Sequence, residues 1–406
     1  MQIYGNIQKI WKGVVMKVKH VKLTNYRGFK NLSMELNPRL NVFVGVNGSG
    51  KSTVMDAVAL ILSWVVSRIE RDGASGRIIQ ESNIANGEPD ASIEILCEMK
   101  SKTIKWKLAG ALKSSAVSGN EANLQELNEY TREIRDKISE TSEKINLPIL
   151  SYYPANRDIM DIPLRIRKSN LGLLAAYDGI LTEGMDLRNF FGWFREREEL
   201  ETEILKRKNG IIRQFKIYER LDIPEPYQFP DFQMEAYMSK SDQYPDSQLE
   251  AVRNALNNFL PEFSNFTVKK QPLRMEVEKY GRFFAINQLS DGEKCLIALI
   301  GDLARRMAAL NPLSGNPLEG TGLVLIDEVD LHLHPEWQAM MIPKLLDVFP
   351  NCQFIISTNS TNIINNIKPE NLFVFKTGAS GSTVENPGAG RNTDSMGSSL
   401  EDSINT

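Results

Sequence analysis

The residues with the most legible chemistry are the eight at 45–52, GVNGSGKS. They spell Gly45-x-x-x-x-Gly50-Lys51-Ser52, a phosphate-binding loop. Glycines let successive backbone N–H groups turn into one concavity, and a following helix adds partial positive charge at its N-terminus. The expected cradle comprises Asn47, Gly48, Ser49, Gly50, Lys51, Ser52 and Thr53. Lys51 can reach β- and γ-phosphates, and the Ser52 hydroxyl suits Mg²⁺. A second constellation closes the apolar run GLVLIDE at 322–328. There Asp327 would hold Mg²⁺ through water and Glu328 would polarise an attacking water, because Mg²⁺ prefers oxygen and hydrolysis needs an oriented nucleophile. Two acids at a strand end are common alone; beside a phosphate loop they are specific.

Elements must hold these groups. Leu40, Val42 and Val44 alternate as a strand before the loop, and 54–70 carries apolar residues at helical spacing nearly all round, as a buried helix does. Short strands are expected at 17–24 and 32–36, and a hairpin at 91–99 and 103–109. Residues 110–119 read as a loop, 120–145 as a charged, solvated helix, and 147–153 as a buried strand before Pro154. A second charged helix covers 185–207, with Phe190, Phe191 and Trp193 as core or subunit contacts. An irregular loop or lid at 221–246 precedes a helix at 247–260 and strands over 265–286. Ser290 opens a long apolar helix as a cap, with acids near its positive end. The segment 377–406 is rich in Gly, Ser, Asn and Thr and is expected to be mobile.

The chain has 406 residues, 42% apolar and 24% charged, which suits about two or three globular units. Its net charge of −3 gives no global basic field. Three scattered cysteines without CxxC spacing read as buried thiols of a reducing compartment. Three histidines exclude a His-rich metal site and argue against an HNH nuclease within the chain. No window reaches the ~18 apolar residues of a membrane span, and residues 1–15 lack a signal-peptide core. A cytoplasmic protein is expected, with residues 1–15 a leader or an appended segment ahead of Met16.

The order phosphate loop, Leu289-Ser290-Asp291-Gly292-Glu293, then Asp327-Glu328, resembles ABC-type AAA ATPases of the RecF/SMC/OLD class. Asn25-Tyr26-Arg27-Gly28-Phe29 resembles that family's N-terminal element, and Asp327 to Pro335 resembles the branch of OLD-like and virulence-associated ATP-binding proteins. The resemblance spans about 17–109 and 285–376. It implies an α/β fold: an ABC-ATPase head, with a P-loop NTPase core of mixed sheet and an N-terminal antiparallel β-subdomain, interrupted by a mainly helical insertion. The expected units are 16–109 and 281–376 for the two head lobes, 110–280 for the insertion and 377–406 for the tail.

By the same resemblance ATP and Mg²⁺ are the cofactors. Arg27 would approach the nucleotide, and Ser290 and the Gly292 N–H would meet the γ-phosphate held by another subunit. Asp330 would lie in the D-loop at that interface, and Gln80 is the candidate metal-contacting Q-loop residue, with Asn156-Arg157 as another phosphate-sensing pair. His332 and His334 read as packing residues of the turn. One position departs from the pattern. Where the family has a His facing the γ-phosphate, this chain has Asn359, which donates a hydrogen bond but never becomes cationic. Slow hydrolysis is therefore expected, with ATP acting as a clamp.

Three functions follow from resemblance. Septu-type and retron-associated ATPases are similar, which implies an ATPase dimer or higher oligomer restraining a separate HNH nuclease in anti-phage defence. A RecF-like clamp on DNA is the alternative, served by Lys206, Arg207, Lys208, Arg213 and Lys216; contact with DNA or a retron RNA–DNA hybrid stays open. A transporter subunit fits least, since such subunits seldom carry the Arg27 element or a large insertion.

Overall fold

The computed structural model describes residues 16–99, 102–113, 121–142, 144–155, 172–182, 187–220, 245–378 and 381–388. Its centre is a six-stranded sheet built from β3 (Leu40–Val44), β6 (Ile149–Tyr153), β10 (Gly322–Ile326), β11 (Cys352–Ser357), β12 (Leu372–Gly378) and β13 (Gly381–Glu385). The spatial order is β13-β12-β3-β11-β10-β6, all neighbours parallel except the β12–β13 hairpin. β3, β6, β10 and β11 are buried along their whole lengths. Parallel strands covered on both faces need such near-continuous apolar runs.

A four-stranded antiparallel sheet, order β2-β1-β4-β5, is formed by β1 (Met16–Tyr26), β2 (Phe29–Glu35), β4 (Asp90–Met99) and β5 (Lys102–Ala111). Buried Gln353 ties it to the central sheet. Its amide accepts from Val18 N–H at 2.7 Å and donates to the Val18 carbonyl at 2.8 Å, as a neighbouring strand would. α1 (Lys51–Glu70) runs between the two sheets, and Trp106 of β5 donates its indole N–H to the Ile61 carbonyl at 3.4 Å. By length and hydropathy α1 could cross a membrane, but 72% of its apolar window is buried inside the molecule, as a core helix requires.

Several expected boundaries move. α2 (Gln125–Glu140) is solvated on one face only. Leu127, Tyr130, Ile134 and Ile138 recur at three- and four-residue spacing and pack under the charged residues. β6 falls inside the expected insertion yet pairs with β10 as a strand of the head, so 110–280 is not one separate body. α3 (Leu187–Arg220) runs longer than expected and buries Phe190, Phe191 and Trp193. α4 (Ser247–Phe259) precedes a second antiparallel sheet of β7 (Phe263–Lys270), β8 (Leu273–Lys279) and β9 (Arg282–Ala285), whose last hairpin straddles the boundary drawn at 280. The start of the expected mobile tail is also corrected. β13 pairs from Gly381 to Glu385, its partner in the closing pair being Gly378. Residues 1–15, 156–157, 221–244 and 389–406 lie outside the described residues.

α5 (Asp291–Leu310) packs on α4, and α6 (Pro335–Val348) follows the acidic turn. Cys97, Cys295 and Cys352 are buried and form no disulfide.

Candidate nucleotide-binding site

Ligands of open α/β sheets sit beyond the carboxyl ends of the strands. The register sets those ends level: Ile326 lies opposite Ile356, and Ser357 opposite Phe43. The phosphate loop, Asp327 and Thr358 therefore leave the sheet at one height.

The loop is shaped by glycine. Gly45, Gly48 and Gly50 all have positive φ, at 144°, 84° and 106°. A Cβ on Gly45 would sit 2.3 Å from the Phe375 carbonyl oxygen, and one on Gly50 would sit 2.6 Å from the Phe29 ring. Only glycine fits both the angle and the space. Gly50 caps α1, whose first residue is Lys51. Lys51 is buried, and its ammonium donates back to the carbonyls of Gly45 and Val46. Burial lowers its pKa; Asp327, Glu328 and Asp330 act in the opposite sense. Ser49 Oγ is buried with no hydrogen-bond partner among the described residues, Ser52 is exposed and Thr53 half-buried at the first turn. An orphaned hydroxyl, a glycine-lined concavity and a buried cation fit a polyphosphate.

Asp327 is buried. Its carboxylate accepts from Ser357 Oγ, and its N–H donates to the Tyr153 carbonyl at 2.8 Å. The Glu328 N–H donates to Ser357 Oγ at 2.7 Å, and Glu328 itself adopts φ 48°, left-handed backbone that costs a non-glycine residue. Asp330 accepts from Thr358 Oγ1, and Asn359 Nδ2 donates to Asn47 Oδ1 at 2.8 Å. Phosphate loop, acidic turn and β11 end are thus one hydrogen-bonded unit. No group of three or more His, Cys, Asp or Glu side chains suited to a metal occurs among the described residues. Mg²⁺ needs no such cage, since it keeps several waters and takes one or two protein ligands beside phosphate oxygens, and Ser52 and Asp327 would fit that donor set.

The remaining expected residues fall in two other places. Arg27 has φ 48° and pairs with Asp56 of α1, while its N–H donates to the Asn83 carbonyl at 2.8 Å. Gln80 is exposed at the head of the short helical turn Glu81–Asn83, and its N–H donates to Asn83 Oδ1 at 3.0 Å. Its side chain makes no hydrogen bond to the phosphate loop among the described residues. Ser290 is exposed and caps α5. Its Oγ and N–H donate to Glu293 at 2.8 Å, and Lys279 pairs with the same carboxylate. Gly292 is buried against the acidic turn, where a Cβ would meet the His332 carbonyl oxygen at 2.5 Å. His332 and His334 are exposed on that turn. Lys206 and Arg207 are exposed on α3; the side chains of Lys208, Arg213 and Lys216 lie outside the described residues.

Sequence reading missed Ser357 and Thr358, which orient Asp327, Glu328 and Asp330. The signal was present: two hydroxyl residues, Ser357 and Thr358, follow the apolar run Phe354–Ile356 and stand just before Asn359. It also missed Asp56 and Arg77, which no motif marks.

A phosphate loop, a strand ending in Asp-Glu and a capped Ser-x-Gly-Glu helix, set on this mixed sheet beside an antiparallel one, define an ABC-type ATPase head of the RecF/SMC class. The family model described as "AAA domain, putative AbiEii toxin, Type IV TA system" matches residues 40–365, and the chain belongs to that family. It is similar to the "Retron Ec83 probable ATPase" of Escherichia coli, at 31% identity over 402 residues covering 90% of this chain and 73% of that one. It is also similar to the "Retron Vc95 probable ATPase" of Vibrio cholerae serotype O1 biovar El Tor, at 27% over 394 residues covering 91% and 75%. Among solved structures, an SMC head bound to the C-terminal winged-helix domain of ScpA shares the fold, with TM-score 0.50 at 15% identity over 91% of this chain and 97% of that one.

Proposed function

We propose that two copies of this chain close head to tail around ATP and Mg²⁺, and that the closed pair holds and regulates a separate effector in anti-phage defence. The observation that carries the reading is the separation of two half-sites. The cradle, Asp327, Glu328 and Asn359 are bonded together, whereas Ser290 stands exposed at the N-terminus of α5 and makes no hydrogen bond to its own cradle among the described residues. A second copy would supply what Ser290 faces.

In each site the loop N–H groups and Lys51 bind and orient the triphosphate, and Ser52 and Asp327 hold the metal. Held there, Mg²⁺ would supply neutralisation of the charge that develops on the phosphates. Glu328, fixed through its backbone by Ser357, orients the attacking water. Asn359 donates a neutral hydrogen bond where a cationic donor would stabilise developing charge more strongly, which supports slow turnover and a clamp-like use of ATP. The named relatives are retron ATPases, which supports the defence role. An HNH nuclease is the proposed effector, and the site of action is proposed to be the cytoplasm.

The test is mass measurement with and without ATP, on the chain alone and purified with its neighbouring gene products. Glu328→Gln is expected to accumulate an ATP-dependent dimer, and Ser290→Arg to remain monomeric while still binding ATP. Ser290→Arg dimerising as wild type would overturn the head-to-tail assembly. Co-purification of a nuclease supports the effector role; a lone dimer retaining DNA would replace it with a DNA clamp.

A further inference from the structure

Asp56 lies on α1 five residues after Lys51, about 7.5 Å farther along the axis at the helical rise. Its carboxylate is shared between two guanidiniums. Oδ2 accepts from Arg27 Nη2 at 2.7 Å and Oδ1 from Arg77 Nη2 at 2.7 Å. The two arginines are similarly exposed, but Arg77 has more anchors: Nη1 donates to the Leu181 carbonyl at 3.3 Å, its backbone N–H to Ser63 Oγ at 2.7 Å, and its backbone carbonyl accepts from Trp64 Nε1 at 2.7 Å. Arg27 sits on a left-handed turn between Tyr26 and the Phe29 ring that abuts Gly50 of the phosphate loop. Its guanidinium spends only Nη2 on Asp56; Nε and Nη1 make no hydrogen bond among the described residues.

We propose that Asp56 is a positioning residue that aims Arg27 at the phosphates gathered by the Lys51 loop, with Arg77 as the fixed anchor that keeps Asp56 in place. One carboxylate between two guanidiniums leaves the trio with a net positive charge, on the helix that the phosphate loop opens. It also leaves both N–H groups of Arg27 Nη1 unspent among the described residues, so that this amino group can donate to a phosphate oxygen. Without Asp56 the long Arg27 side chain would have to be ordered by the nucleotide itself, at a cost in side-chain entropy. The inference rests on the reading of Arg27 as a phosphate contact.

The experiment is a double-mutant cycle on the full chain, read as displacement of a fluorescent ATP analogue by ATP and as KM and kcat for hydrolysis. Asp56→Asn is expected to weaken ATP binding about tenfold and to act mainly on KM, and Arg27→Gln to weaken it at least as much. In the Arg27→Gln background Asp56→Asn should add less than about twofold, because nothing is left to position. An undiminished Asp56→Asn effect in that background would mean a structural role, and would overturn the proposal while sparing the Arg27 contact. Unchanged binding in Arg27→Gln would overturn both. Should Asp56→Asn fail to fold, Arg77→Lys keeps the cation and slackens the anchor. Its loss of affinity must vanish in the Arg27→Gln background, and a loss that persists there overturns the proposal.

Discussion

At the residue scale the site is a buried amine facing acids across the space a triphosphate would fill. Lys51 rests on its own loop carbonyls, so its partner on the anion side is left to the ligand. Lys51→Ala removes a charge-assisted bond worth about 2–3 kcal/mol, and a roughly 100-fold loss of ATP affinity by calorimetric titration is expected. Asn359 is the departure with a kinetic meaning. Asn359→His, which restores a donor able to become cationic, is expected to raise kcat about tenfold, or ~1.4 kcal/mol. Brisk wild-type turnover unchanged by the swap would remove the slow-clamp reading. Ser357 bonds both Asp327 and the Glu328 N–H, so Ser357→Ala should lower kcat with little change in ATP affinity. The types and spacing of the cradle residues and of Asp327-Glu328 were legible because a chain needs those atoms in that order. Ser357 was not, because its role depends on which strand lies beside β10.

At the element scale α5 links the exposed cap to the buried heart of the head. Buried Asp302 on this helix accepts from Tyr153 Oη at 3.0 Å, Arg305 Nε at 2.9 Å and Arg306 Nε at 2.8 Å, while Arg306 also donates to the carbonyls of Ala176 and Asp178. Tyr153 is the residue whose carbonyl receives the Asp327 N–H, so α5 and the acidic turn share one strand end. Asp302→Asn leaves the buried guanidiniums uncompensated and is expected to cost about 3–5 kcal/mol in urea unfolding. Burial pushes the Asp302 carboxyl up, but Arg305 and Arg306 outweigh it and hold it below the usual range. A depressed folded pKa makes this contribution complete above the unfolded aspartate range, near pH 3.9, and loses it as pH falls through the folded value. Acid unfolding of Asp302→Asn should lack that component. At the other end of α5, Gly292→Ala would press on the His332 carbonyl. Loss of ATP-dependent dimers with ATP binding retained is expected, measured by mass and by analogue fluorescence.

At the scale of the whole molecule the strand order decides what meets. β3, β10 and β11 come from distant parts of the chain and lie side by side, so groups more than 300 residues apart, Asn47 and Asn359, share a hydrogen bond at 2.8 Å. β6 comes from inside a stretch that looked like an insertion, because a short, mostly apolar run reads equally well as a buried strand of any sheet. β13 lay hidden in a Gly- and Ser-rich run, since an edge strand has little to bury and leaves a weak pattern. α2 read as solvated because charged residues dominate it, while its apolar stripe becomes visible only against α1 and β5.

By itself the sequence determined the glycine-shaped loop at 45–52, the acidic strand end, the capped helix at Ser290 and the α/β class, since each depends on residues adjacent along the chain. The tertiary structure alone decided that Ser357 and Thr358 steer the acids, that Tyr153 joins Asp302 to the Asp327 turn, and that Asp56 stands between Arg27 and Arg77. Those pairings arise from strand order and helix docking, and long-range contacts of this kind leave no periodicity in the chain to read.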